Sequence, residues 1–558
     1  MKFFRWATDR LQGRDGIVCF VSNNSFLDSY AFDSFRKRLA DEFTHIYHID
    51  LSGNARRGRG GNVFGIMVGV GITILVRNRA QVTQHRSATI NYYKVDDNLK
   101  GPAKLKLLAE AGNIKRVTWH ILQPDENYTW ITEGLHAEFS TFLAMGNKDA
   151  KEARGIETVG ATFKTLFKIY SRGAETTRDR WMYDFSASNL VIKTKSMIDT
   201  YNSEISRWIR AGEPKDIDNF VLSDETKIKW SSRLKECLVR KTETEFTYLS
   251  IRNALYRPFT RQFLYFDSIM THRQGMFPII FPNAASELEN VVICIPGLGN
   301  RKGFGCLAVN VISDLEIAFE KAQCFPFYTY STDGTNRREN ITDWALKLFQ
   351  KKHGSEVTKW DIFHYVYGLL HHPQYRELYK ENLKRDLPHI PLLLNQEAFE
   401  ACVSVGRQLM DMHVNYEQVD EYPLELVSDK NIPYVQRLRV EKMKLAADKQ
   451  SLVYSKGLTI AGIPQECFEY RLGNRSALEW VIDQYQVSTD KRSGIESDPN
   501  RLDDPQYILR LIRQVVTVSV KTVELVKELA EAVTAEDWLG ESVDVSESPL
   551  SAEIPPQD

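Results

Sequence analysis

The sequence predicts an α/β opening followed by a larger α+β region, and three patterns carry that expectation. A short apolar run, Gly16-Ile-Val-Cys-Phe-Val21, precedes a segment with apolar residues at helical spacing; a second run, His45-Ile-Tyr-His-Ile-Asp-Leu51, follows. A β-rich stretch from Val63 to Val76 comes next, so strand, helix, strand, loop and strand succeed one another as in an open sheet. Beyond about residue 119 the pattern is mixed, and long helical periodicities return only near residue 360.

Each element has a local reason. Gly16–Val21 is short and uninterrupted, as a buried strand is. Asp28 suits a helix start, with Phe32, Phe35, Leu39 and Phe43 on one face and Arg36, Lys37 and Arg38 on the other. Nothing ahead of Gly16 supplies earlier strands, so the apolar edge is expected to need cover from an upstream segment or another chain. In the middle, Val291–Pro296 and Cys306–Ile312 read as strands among aromatic and arginine-bearing loops. Asp361–His371 reads as a helix, and Pro373 as the first turn of a second that ends near Leu387-Pro388. Asp504 and Pro505 begin a last helix whose Ile508, Ile512, Val515, Val516 and Val523 form a buried stripe. The expected domains are 1–118, 119–530 and an acidic disordered tail, 531–558; the helical pair spans about 361–387 and the last helix about 505–530.

Composition bounds the function. With 558 residues, 43% hydrophobic and 26% charged, the chain has the make-up of an ordinary soluble protein of two or more domains. No apolar run reaches the roughly 18 residues of a membrane span, and Met1–Trp6 lacks the features of a signal peptide. Seven scattered cysteines without a CxxC pair fit a reducing cytoplasm and no zinc site. The net charge of −1 hides an asymmetry: residues 531–558 hold eight acidic residues and no Lys or Arg, so residues 1–530 carry +7. A mildly basic body permits nucleic-acid binding without demanding it.

Several segments then carry candidate chemistry. Asn23, Asn24 and Ser25 follow a buried strand, where α/β folds place their sites, although Asn and Ser equally suit a turn and a helix cap. Arg56, Arg57 and Arg59, spaced by glycines up to Gly61, form a basic loop able to follow a phosphate backbone or simply to be solvated. It is not a nucleotide P-loop, because no Gly-Lys-Ser/Thr follows, and Phe64–Gly71 runs into a strand rather than opening a helix. Arg172, Thr176 and Arg178 suit phosphate and base-edge contacts; an Arg178–Asp179 ion-pair network with Trp181 in the core is the alternative. Arg257 and Arg261 flank a rigid Pro258-Phe259 and are either DNA-facing or structural, while Arg301 and Lys302 sit in a basic loop. His371-His372 has no third ligand in view, and no Ser-His-Asp or Cys-His set can be assembled.

Taken in order, the segments have a family look. Phe20-Val-Ser-Asn-Asn-Ser-Phe26, Asn62-Val-Phe-Gly-Ile66 and Gly69-Val70 resemble the later motifs of adenine-specific DNA methyltransferases, in the version of type ISP restriction–modification enzymes. Tyr170–Phe185, Tyr256-Arg-Pro-Phe259, Cys324-Phe-Pro-Phe-Tyr328, Tyr365–His371, and Asn474–Tyr485 with Lys491 and Gly494 are similar to that family's specificity region. The resemblance implies the C-terminal part of a Rossmann-like methyltransferase sheet, followed by a large mixed target-recognition domain with helical segments. Nuclease and helicase-like domains precede these parts in the family. The glycine-rich loop for S-adenosylmethionine and the Asn/Asp-Pro-Pro-aromatic tetrapeptide are not found in these 558 residues.

That departure shapes the expected function. Adenine N6 is a poor nucleophile, so the base must be flipped out, stacked and hydrogen-bonded at its amino group. The resemblance gives the missing tetrapeptide that last role and leaves Asn23, Asn24, Ser25 and Phe64 as walls of the target-base pocket, with Phe64 the stacking candidate. In a β-rich run an aromatic such as Phe64 is equally at home in a plain core. The expected partners are double-stranded DNA and an upstream methyltransferase, helicase and nuclease part, fused or separate. S-adenosylmethionine is expected only in the complete enzyme. The alternatives are a DNA-binding specificity module or truncated product without catalysis, and an unrelated soluble enzyme whose motifs coincide by chance.

Overall fold

A computed structural model of the chain describes residues 2–27, 32–53, 62–66, 68–78, 80, 87–96, 98–126, 128–147, 164–300 and 302–539. The chain divides into two units, Met1–His136 and Ala137–Asp558. The division falls later than residue 118 because the strand His120–Leu122 pairs with Thr89–Lys94 and so completes the first sheet.

The first unit comprises α1 (Lys2–Arg10), β1 (Gly16–Asn23), α2 (Asp33–Glu42), β2 (His45–Asp50), β3 (Val70–Arg77), β4 (Thr89–Lys94), α3 (Gly101–Ala111) and β5 (His120–Leu122). The sheet order is β1-β3-β2-β4-β5, with β3 antiparallel to both neighbours and β2 parallel to β4. Period-2 alternation sorts the side chains between two faces. Val18 and Phe20 turn to a core shared with Phe4, Phe26, Leu39, Phe43, Leu75 and Trp130. The rings of Phe4 and Phe20 lie 4.7 Å apart. On the other face, Leu107 and Leu108 of α3 pack with Trp119 over Ile49, Ile72 and Val95. That cover does not reach β1, where Ile17 and Val21 stay 65% and 53% exposed. Nor does β1 pair with any strand but β3 among the described residues.

Two expectations for this unit change. Arg36 does not share the solvent face with Lys37 and Arg38: it is fully buried, donating to the carbonyls of Phe26 and Tyr128. The stretch from Val63 is not strand until Val70, because Asn62 turns the chain. Its Oδ1 accepts from the Phe64 amide at 2.7 Å, and its Nδ2 donates to the carbonyls of Gly53 and Val68. Gly65 takes a positive φ of 67° at that turn.

The second unit has one continuous core. One sheet joins Ile312–Ser313, Ile251–Arg257, Thr260–Tyr265 and Tyr183–Asp184; another joins Leu307–Val309, Val292–Ile295, Gln323–Pro326 and Ser171–Arg172. The helix expected at residue 361 is Lys359–His371, started by a capping box between Thr358 and Asp361. The expected second helix breaks into Pro373–Leu378 and Asn382–Arg385. Helix Lys359–His371 packs on Gln396–Val414 at very close range. A Cβ on Gly368 would collide with the Cys402 carbonyl, and one on Gly406 with the His364 carbonyl.

The last long helix is Tyr507–Ala532, two residues later than Pro505 predicts, and the Asp504 carboxylate pairs with Arg510 instead of capping. The acidic tail does not start at residue 531. Val533 and Trp538 are buried, Trp538 lies edge-on to His372 at 5.1 Å, and a short helix runs Glu536–Leu539. Burial of those two apolar side chains holds the segment in place. The tail residues after 539 lie outside the described residues, as does the helix start expected at Asp28. Among the described residues no helix is long and apolar enough to cross a membrane.

Candidate nucleic-acid interface

In the first unit, β1 and β2 run in the same direction, so their carboxyl ends fall together, the usual place for a site in an open sheet. Asn23 Oδ1 accepts from the Ser25 amide at 2.6 Å and caps the short 3-10 turn Asn24–Phe26, which is the turn-and-cap role open to it from sequence. Asn24 is held differently. Its backbone N–H donates to Gly69, and its Nδ2 donates to Asp50 Oδ1 at 2.5 Å. Asp50 also accepts from the Ser52 amide at 2.7 Å and from the Tyr92 hydroxyl at 2.9 Å. His48 lies beside this group, its Nδ1 2.9 Å from Thr73 Oγ1; burial pushes its pKa down to about 3, so it is neutral. Gly71 leaves room for both side chains, since a Cβ there would collide with His48 Nε2 and Asn24 Oδ1. Those two atoms are buried with no hydrogen-bond partner among the described residues.

Phe64 stands at the tip of the Asn62 turn with its ring 59% exposed. The core alternative for it is therefore not what the structure shows. The same turn joins the site end of the sheet, because Val68 is tied to Asn62, Gly69 to Asn24 and Val70 to Leu51 and Ser52. Asn23, Asn24, Ser25 and Phe64 thus gather at one end of one sheet. Sequence reasoning missed His48, Asp50 and Tyr92. The signal was available: His48 and Asp50 alternate with apolar residues to the last position of β2.

The second unit treats its candidate cations differently. Arg178 is 1% exposed, donating Nη1 to the Met270 carbonyl at 2.7 Å and Nη2 to Ser231 Oγ, and burial pulls its pKa down to about 10. Thr176 is buried and donates to Asp179, which also accepts from the Tyr256 hydroxyl at 3.0 Å. Arg257 pairs with Asp314 at 2.7 Å in the interior, where burial pushes Asp314 up to about 6. Arg261 pairs with Glu417 at 3.2 Å and reaches Asn310 Oδ1 at 3.1 Å. These residues brace the scaffold: Thr176 and Arg178 are buried, and Arg257 and Arg261 take the structural role open to them from sequence. Trp181 is buried, but the Arg178–Asp179 ion pair of the alternative does not form: Asp179 is bonded by Thr176 and Tyr256 instead. Arg172 is half-buried and bonded to Glu175 at 2.9 Å. Lys302 is half-buried with no ion pair among the described residues; Arg56, Arg57, Arg59 and Arg301 lie outside them. His371 and His372 serve separate carbonyls, those of Tyr367 and Val533. Among the described residues no three His, Cys, Asp or Glu side chains are grouped to hold a metal.

Comparison with known proteins gives this scaffold a family. Residues 165–511 match the model of the Type ISP C-terminal specificity domain, so the chain belongs to that family. Three solved structures are similar over nearly all of it. The chain is 34% identical to a nuclease-deletion mutant of the Type ISP restriction-modification enzyme LlaGI, in complex with a DNA substrate mimic; the TM-score is 0.76 over 94% of this chain and 47% of that one. It is 30% identical to the ATP-dependent Type ISP enzyme LlaBIII bound to DNA, with a TM-score of 0.78 over 95% and 33%. For a DrdV–DNA complex the values are 34% and 0.76, over 96% and 52%. The chain therefore spans between a third and about half of the length of these relatives. No curated protein matches it.

Proposed function

We propose that this chain recognises duplex DNA for a restriction–modification enzyme, and that its first unit closes the sheet of an adenine-N6 methyltransferase. The observation that carries the reading is 30–34% identity, over 94–96% of the chain, to three enzymes whose structures hold DNA. The first unit adds support. Its Asn24–Asp50 end and exposed Phe64 suit the edge of a pocket for a flipped base, and its bare β1 suits an upstream strand.

The turn after β1, as described, suits a tied-down loop better than a cradle for S-adenosylmethionine. The turn after β1 has its backbone donors occupied: Asn24 N–H by Gly69, Ser25 N–H by Asn23 and Leu27 N–H by Asn24. A methyl-donor site would therefore belong to the upstream part. In the joined enzyme Phe64 would stack on the extruded base, and Asn24, fixed by Asp50, would border it.

Methyl transfer to mixed-sequence DNA, measured with and without the upstream polypeptide, tests the reading. Activity is expected only with both. Phe64→Ala should then lower the transfer rate while leaving duplex affinity within about twofold, because stacking acts on a base that is already out of the helix. Transfer by this chain alone would refute the division of labour. Duplex affinity that does not fall as salt rises would refute DNA recognition through phosphates.

A further inference from the structure

A polar pocket of about 460 Å³ lies in the second unit between the start of the helix Ser232–Val239 and the loop Ser268–Gly275. Its walls include Ser232, Arg233, Thr271, His272, Arg273 and Gln274. None of these was singled out by motif, since they come from two segments about 40 residues apart.

The pocket's cations are underused. Arg233 makes one long hydrogen bond, 3.4 Å to the Ser268 carbonyl, and no ion pair among the described residues. Arg273 has a loose pairing with Glu175 at 3.7 Å and is 58% exposed. His272 Nδ1 is buried with no partner among the described residues. Thr271 Oγ1 already accepts from the Asp267 amide, which leaves its O–H to donate. The helix adds the N–H groups of Ser232 and Arg233, that of Leu234 being capped by Ser231 Oγ. Glu236 is the one carboxylate in the lining. Burial lowers His272 below its usual range; Glu175 opposes that shift, and Arg273, Arg178 and Arg172 add to it.

The pocket is also built from beneath. Buried Arg178 bonds Ser231 at the head of the helix and Met270 at the head of the loop, so one guanidinium sets the spacing of both walls. Gly275, at a φ of 60°, lets the loop close over Ser171 and Arg172, where a Cβ would collide. One exposed and one half-buried cation, neutral donors and a buried brace make a receptor for a compact tetrahedral anion.

We propose that this pocket binds a phosphate group of the duplex DNA backbone, with Arg233 and Arg273 supplying charge, Ser232, Thr271 and Gln274 hydrogen bonds, and Arg178 acting as the positioning residue. The source of the phosphate rests on the DNA-recognition reading above; the anion chemistry rests on the pocket alone.

The test compares the full chain with the double variant Arg233→Gln/Arg273→Gln and with Arg233→Lys, after thermal melting has shown that they fold alike. Duplex affinity is measured across salt, and inorganic phosphate is titrated separately by its 31P line width. The proposal expects the double variant to lose about tenfold or more in affinity near 0.1 M salt and its salt slope to fall by about 1 per lost phosphate contact, with Arg233→Lys keeping most of both. Unchanged affinity and slope, with a wild-type chain that binds duplex, would overturn the pocket and leave DNA recognition standing. No salt-dependent duplex binding, together with phosphate broadening that vanishes in the double variant, would keep the anion site and overturn DNA as its source. Neither response would overturn both.

Discussion

The first unit ends, among the described residues, at an unpaired strand edge, whereas the second is built around helices packed at very close range. Along β1, Ile17 and Val21 face solvent beside a strand edge that nothing described covers, whereas Leu75, two strand positions from Thr73 on the neighbouring β3, is fully buried. In the second unit, two helices meet backbone to backbone at Gly368 and Gly406, and even the segment after the last long helix inserts Trp538. The difference teaches that one unit is organised around its own interior and the other around a surface that a further strand can extend.

Four measurements can break or sharpen that contrast. The largest effect is expected from Trp538→Ala, which removes a buried indole at a cost of about 3–5 kcal/mol in denaturant unfolding of the second unit. A cost near zero would mean that the segment after residue 532 does not belong to the core. Gly406→Ala forces a methyl against the His364 carbonyl and should cost about 2–3 kcal/mol by the same measurement.

Acid comes next. His413 sits between Tyr367 and Thr522, at 2.7 and 2.9 Å, and burial holds its pKa down to about 3. A histidine depressed in the folded state contributes stability above its unfolded pKa of about 6.5 and loses it as pH falls below that value. Lowering pH from 6.5 to 5 should therefore remove about 2 kcal/mol through this residue. Asp314, pushed up to about 6, works the other way over roughly pH 4–6, gaining stability as it protonates. His413→Gln should accordingly flatten the fall relative to wild type; an unchanged pH profile would show that His413 is not held neutral. The smallest effect belongs to Ile17→Ser, within about 0.5 kcal/mol, against about 2–5 kcal/mol for Leu75→Ala. A loss above about 1.5 kcal/mol at Ile17 would show that its face is covered after all.

Much of the architecture was legible because it is local. The apolar runs Gly16–Val21 and His45–Leu51 mark β1 and β2, and the pattern from Asp361 to His371 marks its helix, which the structure starts with a capping box. What failed to show was long-range. Arg178 and Arg257 stay open between DNA-facing and structural roles until Met270, 92 residues from Arg178, accepts from the one and Asp314 from the other. Val63 reads as strand until the Asn62 amide bends the chain. The acidic stretch reads as tail until His372 and Trp538 meet. At the site, Asn24 and Phe64 were found through motif likeness, whereas Asp50, which fixes Asn24, lies 26 residues on from it and has no motif of its own.

The placement of Trp538 also sets a timetable for synthesis. The helix Tyr507–Ala532 packs on Gln396–Val414, and the indole that follows it lies against His372. A ribosome that has reached residue 500 still holds back the piece that seals the interior, so the nascent second unit must wait with greasy surface uncovered. During that wait it is a natural client for chaperones, and a stall late in translation should be more damaging than one early.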